Sequence, residues 1–168
     1  AAAAARLPAP CRARGAVTPA TPSIRRATGA DLPAINALIQ ASSTYHGEYR
    51  PMLATYAVDA AQLARDEMYV AEDGGAVVGL YSLKLGEAPE LDLMFVADRL
   101  HGGGLGRALI AHLKQTARRR GVHAVKIVSH PPSVGFYKRI GAVETGSKPP
   151  AGRVTWARPI LMLATTDD

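Results

Sequence analysis

The chain has 168 residues, 48% of them hydrophobic and 20% charged, the size and composition of one globular domain rather than a disordered chain. No run reaches the ~18 apolar residues of a membrane helix, and the single cysteine, Cys11, excludes an internal disulfide and a cysteine-based zinc site and points to a reducing cytoplasm. The net charge of +6 is a local feature: five of the 20 basic residues (Arg6, Arg12, Arg14, Arg25 and Arg26) precede the first acid, Asp31, and from there on 15 basic side chains face all 14 acids, so neither nucleic acid nor a membrane is the expected partner.

Residues 1–22 are rich in Ala, Pro and Arg, hold no acid and have no apolar period. They lack the ~7–15 apolar residues of a secretory signal core. A disordered or appended tail is the favoured expectation, an organellar transit peptide the alternative, with the folded domain running over 23–168. A short strand is expected at Ser23–Arg26. Asp31, followed by Leu32-Pro33 and by Ile35, Leu38 and Ile39 at helical spacing, reads as an N-cap and an amphipathic helix. A second helix is expected over Val58–Arg65. Met68–Glu72 and Ala76–Leu85 read as a hairpin about Asp73-Gly74-Gly75. Glu90–Val96 alternates, with Leu91, Leu93 and Phe95 expected on one side and Glu90 and Asp92 on the other. A glycine loop over Gly102–Gly106 opens a helix that runs to Arg120, stopped by Gly121. Ala124–Ser129 is a strand, Ser133–Ile140 a short helix, and strands near Val143 and within Val154–Leu163 complete the order β-α-α-β-β-β-α-β-α-β-β.

Short turns make the early strand pairs antiparallel, while the crossover from Glu90–Val96 to Ala124–Ser129 has parallel length. The fold class is therefore α/β (α+β): a mixed, mostly antiparallel sheet of about six to seven strands flanked by about four helices, some on each face.

Glycines between a strand and a helix let a phosphate approach the unpaired amides of the helix start. A turn that binds nothing is the alternative, and glycines alone leave the two level. The dinucleotide fingerprint fails because Arg107 and Leu109 stand where it needs Gly or Ala, and no Gly-Lys-Ser/Thr of a P-loop occurs.

The segment His101-Gly102-Gly103-Gly104-Leu105-Gly106 resembles the Gln/Arg-x-x-Gly-x-Gly/Ala signature of the GNAT superfamily of acyl-CoA-dependent N-acyltransferases, with His101 in the first place. The segment from His130 through Ser133, Phe136, Tyr137 and Gly141 resembles the family's next element, Asn-x-x-Ala-x-x-Phe-Tyr-x-x-x-Gly, with His130 for Asn and Ser133 for Ala. The likeness covers about residues 23–164. It implies acetyl-CoA as co-substrate and no metal. It also implies that Phe95 and Val96 bind the pantetheine arm, that Gly102, Gly103, Gly104, Leu105, Gly106 and Arg107 with His101 hold the pyrophosphate, and that His130, Ser133 and Phe136 complete the cofactor site.

Acyl transfer from a thioester needs a neutral amine, a stabilised oxyanion and a proton for a leaving thiolate, whose pKa near ~8.5 asks only for a modest acid. The resemblance gives that role to Tyr137; packing between helix and sheet is the alternative. For the base, Glu90 lies eleven residues before His101, similar to a base glutamate of some relatives, and Asp92 follows; His130 and His46 are lesser candidates. Tyr45, His46, Glu48 and Tyr49 lie between the first two helices, where relatives form an acceptor wall; a solvated loop weighs equally. Arg118-Arg119-Arg120 reads as favourable charge at a helix C-terminus, with a phosphate-binding patch for RNA as the alternative.

The leading functional expectation is N-acetyl transfer from acetyl-CoA to the primary amine of a small molecule, by direct attack in a ternary complex. A non-catalytic acyl-CoA-binding regulatory module stays open because His101 and His130 depart from the pattern. So do an acyltransferase acting on aminoacyl-tRNA or a protein, and a homodimer.

Overall fold

The computed structural model describes residues 21–166; Cys11 and nearly all of the expected tail lie outside the described residues. The elements are β1 (Ser23–Arg26), α1 (Leu32–Ala41), α2 (Ala60–Arg65), β2 (Glu67–Asp73), β3 (Ala76–Lys84), β4 (Glu90–Val96), α3 (Leu105–Arg119), β5 (Ala124–Val128), α4 (Val134–Arg139), β6 (Val143–Lys148) and β7 (Arg158–Ala164). They form one sheet in the order β1-β2-β3-β4-β5-β7-β6, antiparallel throughout except for the parallel pair β4–β5. Among the described residues no helix is long and apolar enough to cross a membrane.

Each face of the sheet carries its own core. Ile35 and Ile39 of α1 pack with Met68, Val70, Leu80 and Phe95 on one face. Leu105, Leu109, Leu113 and Ala117 of α3, four residues apart along one stripe, pack with Tyr81, Leu83, Val125 and Leu161 on the other. At ~1.5–3 kcal/mol for each large apolar side chain buried, these stripes drive the docking of both helices. Gly79 of β3 permits the α3 contact, because a Cβ there would stand 3.1 Å from Leu109 Cδ1 and 3.3 Å from Leu105 Cδ2. Glu67, almost wholly buried, holds Arg26 of β1 and Arg120 at the end of α3.

Two local expectations are corrected. Asp31 does not cap α1: its backbone is helical and its carboxylate turns back to Thr28 N at 2.8 Å and to Arg25 at 2.8 Å, closing a short 3-10 turn before the helix. The alternation of β4 is also broken. Leu93 pairs with Ser82 but Leu91 pairs with Leu83, so Asp92 is an extra residue, a β-bulge. Leu91 thereby joins the α3 core while Leu93 and Phe95 face the α1 core, and the three do not share a side.

Candidate active site

The bulge sits where β4 and β5 part. The two strands pair only at Glu90↔Lys126 and Leu91↔Ile127; beyond Leu91, β4 pairs with β3 alone. The opening is a cavity of about 750 Å³ lined by residues 91–96 on one side and residues 127–130 on the other. An unpaired strand edge in such a gap offers backbone donors and acceptors to an extended ligand.

One end of the cavity is the glycine loop. Gly104 is the N-cap of α3 with φ +89°, and Gly102 has φ +77°, conformations that favour glycine. The amides of Leu105, Gly106 and Arg107 open a 15-residue helix and have no acceptor within it. A Cβ on Gly104 would point into open space, while one on Gly106 would stand 3.2 Å from the Phe136 ring, so Gly106 lets α4 close over the start of α3. Gly102, Gly104, Gly106, Arg107, Ser133 and Phe136 all line the cavity. Gly103, whose amide donates to Leu100 O at 3.2 Å, and Leu105, buried in the α3 core, support the loop from behind. This cradle of amides, with Arg107 and the additional Arg139 on its wall, fits a phosphate-bearing group.

The histidines that replace family residues both brace loops. His101 Nε2 lies 3.0 Å from Val96 O and 3.7 Å from Asp98 Oδ1, tying the glycine loop to the end of β4. His130, buried, lies 3.2 Å through Nε2 from Thr44 O, and burial lowers its pKa. Tyr45 stacks on it, and Tyr49 meets it edge-on at 5.5 Å and Trp156 at 4.8 Å. Tyr45 lines the cavity; Tyr49, His46 and Glu48 do not. His46 Nδ1 lies 2.9 Å from Ser43 O, and Glu48 is exposed. The 43–53 segment is therefore no plain linker: it includes a 3-10 turn at Gly47–Met52, and Asp98 accepts from Ser43 N at 3.1 Å.

The two carboxylates separate. Glu90 pairs with Lys126 at 2.7 Å and does not line the cavity. Asp92 does, held by Lys84 Nζ at 2.5 Å and Gln62 Nε2 at 3.1 Å, with Gln62 also bonded to the Tyr56 hydroxyl. It is the only carboxylate lining the cavity among the described residues. Tyr137 lines the same cavity from α4, and burial raises its pKa well above the usual phenol range, so its hydroxyl stays protonated at neutral pH.

The family profile described as an acetyltransferase (GNAT) domain matches residues 48–156, more than half of the chain. The chain belongs to the GNAT acetyltransferase family. An enzyme named IAA acetyltransferase from Azospirillum brasilense is 28% identical over 127 residues, 71% of this chain and 83% of that protein. Among solved structures, a GCN5-related N-acetyltransferase from Rhodopseudomonas palustris superposes with a TM-score of 0.75 at 24% identity, over 89% of this chain and 99% of that one. The PaiA N-acetyltransferase from Thermoplasma acidophilum, solved in complex with coenzyme A, gives 0.69 at 17% identity over 86% and 99%. These likenesses show the fold, and the family match makes the chain a GNAT-type N-acetyltransferase.

The GNAT cavity also includes residues that sequence reasoning passed over: Met52, Leu53, Tyr56 and Arg139. Met52 and Leu53 carried a signal, two apolar side chains inside a polar stretch. Arg139 carried none, because reaching the cavity depends on the path of its side chain back along α4 toward Gly135. The arginine run at the end of α3 has internal partners: Arg118 donates to Thr165 O, Arg119 to Thr116 Oγ1 and Arg120 to Glu67.

Proposed function

We propose that this protein transfers the acetyl group of acetyl-CoA to the primary amine of a small molecule, by direct attack in a ternary complex. The observation that carries the reading is the β4–β5 gap with the glycine-opened start of α3 at one end and Asp92 and Tyr137 on its walls. The amides of residues 104–107 and the side chains of Arg107 and Arg139 would hold the phosphates. The unpaired edge of β4 at Phe95 and Val96 would hold the pantetheine arm and present an amide to the thioester oxygen, where a fixed donor lowers the barrier. Bound acetyl-CoA supplies an activated acetyl thioester.

In this reading Asp92 accepts the proton of the amine, directly or through a water, and the Tyr137 hydroxyl donates its proton to the departing thiolate, which leaves as the free thiol. Asp92 takes the base role ahead of Glu90 because it lines the cavity and Glu90 does not. A small-molecule acceptor is preferred to RNA because the arginines 118–120 are engaged within the fold. The lone Cys11 keeps the cytoplasm as the expected compartment. Calorimetry with acetyl-CoA and free-thiol detection across a panel of amines test the reading together. Binding with amine-dependent thiol release is expected; tight binding with no release from any amine would establish a regulatory module instead.

A further inference from the structure

We infer that the acceptor is an amine carried on an apolar, aromatic-sized body with no second cationic centre, an arylalkylamine rather than a polyamine or aminoglycoside. This rests on the acyl-transfer reading above and names the substrate class of the same site.

The bulge at Asp92 is the starting point. By shifting the alternation of β4 it sets two consecutive side chains, Asp92 and Leu93, toward the same face: Asp92 reaches Gln62 of α2, and Leu93 packs with the α1 core. A carboxylate and an apolar side chain thus stand side by side at one end of the cavity. The walls also carry Tyr45, Met52, Leu53, Tyr56 and Phe95, with Thr44 and His130 as the polar residues next to Tyr45. Tyr45 and Phe95 lie 5.8 Å apart, centre to centre, and Tyr45 is held by its stack on His130, which also lines the cavity. Such a wall is preformed, so an aromatic body entering it would bury apolar area with little ordering cost.

Charge argues the same way. A polycation needs a carboxylate for each ammonium it buries, since an unpaired buried charge costs far more than it gains. Among the described residues this cavity has Asp92 alone, and Lys84 already shares it at 2.5 Å. The other formally charged side chains on its walls, the cations Arg107 and Arg139, are assigned above to the cofactor's phosphates and give a second ammonium no partner. Glu48, the carboxylate expected of the acceptor wall, lies outside the cavity.

The test uses the full chain at saturating acetyl-CoA, with thiol release from 2-phenylethylamine, tryptamine, spermidine and kanamycin. The expected result is a kcat/KM for one of the two aromatic amines at least ten-fold above both polycations. A smaller margin, or preference for a polycation, would overturn the substrate class while leaving acyl transfer intact; thiol release from none of them would overturn both. Met52→Glu places a second carboxylate on the wall at a half-buried position. It is expected to narrow the margin at least ten-fold, with Met52→Leu keeping it. Should Met52→Glu melt early, Tyr56→Glu makes the same addition from another residue that lines the cavity. An undiminished margin in a folded glutamate variant would overturn the inference.

Discussion

Tyr45 lies flat against His130, their ring centres 4.2 Å apart and their planes 15° from parallel. The contact joins the segment after α1 to the loop after β5, and burial of His130 holds its pKa below the ordinary value. A histidine whose folded pKa lies below its unfolded pKa of ~6.5 is stabilising in its neutral form. Its contribution is complete above the unfolded pKa and is lost as pH falls from there toward the folded pKa, because the unfolded chain then binds the extra proton. The melting temperature should therefore drop between pH 7.5 and 5.5. His112, lowered for the same reason, acts in the same direction, so His130→Asn should reduce this drop without abolishing it. Melting curves of both proteins at four pH values check this; an equally steep fall in His130→Asn would assign the sensitivity elsewhere.

Gly104→Val should weaken acetyl-CoA binding at least ten-fold in calorimetry. Two effects combine. The position has φ +89°, which a β-branched residue adopts only under strain, and the new side chain would project into the open space before the α3 amides, where a phosphate would lie. Gly103→Ala separates them: its Cβ would instead press on Leu100 O at 3.2 Å, behind the loop. Its binding loss should be smaller, with a modest fall in stability. Wild-type affinity in Gly104→Val would refute the loop assignment.

Much of this architecture was legible because its signals are local. The bounds of β4 at Glu90 and Val96, the hairpin at Gly74-Gly75 and the glycine stop at Gly121 each follow from alternation or from a residue suited to positive φ. The bulge was not legible. Leu91 and Leu93 have the spacing of one face, and only the pairing with Leu83 and Ser82 shows that they part. Gly79 could have been found, since a glycine inside a strand marks a close approach, here of α3. The contact of Tyr49 with Trp156 spans more than a hundred residues, and no local pattern encodes it. Motif spacing is what singled out the glycine loop and Tyr137, whereas the preference for Asp92 over Glu90 comes from which of them lines the cavity.

That choice gives a direct comparison. Asp92→Asn should lower kcat by roughly ten-fold or more, within the ~10²–10⁴-fold ceiling of general base catalysis. Glu90→Gln breaks only the pair with Lys126 at a partly exposed site, a contact typically worth ~0–1 kcal/mol, and should leave kcat within about two-fold of wild type. Steady-state kinetics of the two variants, with melting curves on the same preparations, check it. The reverse ranking would return the base role to Glu90.

Tyr137→Phe should lower turnover by at least ten-fold while leaving acetyl-CoA affinity nearly unchanged. The ring is kept, so its edge contact with Phe136 at 5.3 Å and its place in the α3 core survive, and only the hydroxyl is lost. Because burial pushes the Tyr137 pKa above the ordinary phenol value, the hydroxyl is protonated throughout the neutral range, and the wild-type rate should not fall with rising pH until well past pH 10 on account of this group. In the variant the rate should instead depend on the basicity of the leaving thiolate, rising with acyl donors whose thiols are more acidic. Steady-state kinetics with acetyl-CoA and a more acidic thioester, run beside a melting curve, separate this from packing. A packing residue would give a small loss that tracks stability and ignores the donor. Turnover unaltered by the substitution would take Tyr137 out of the mechanism and leave thiol departure to a water.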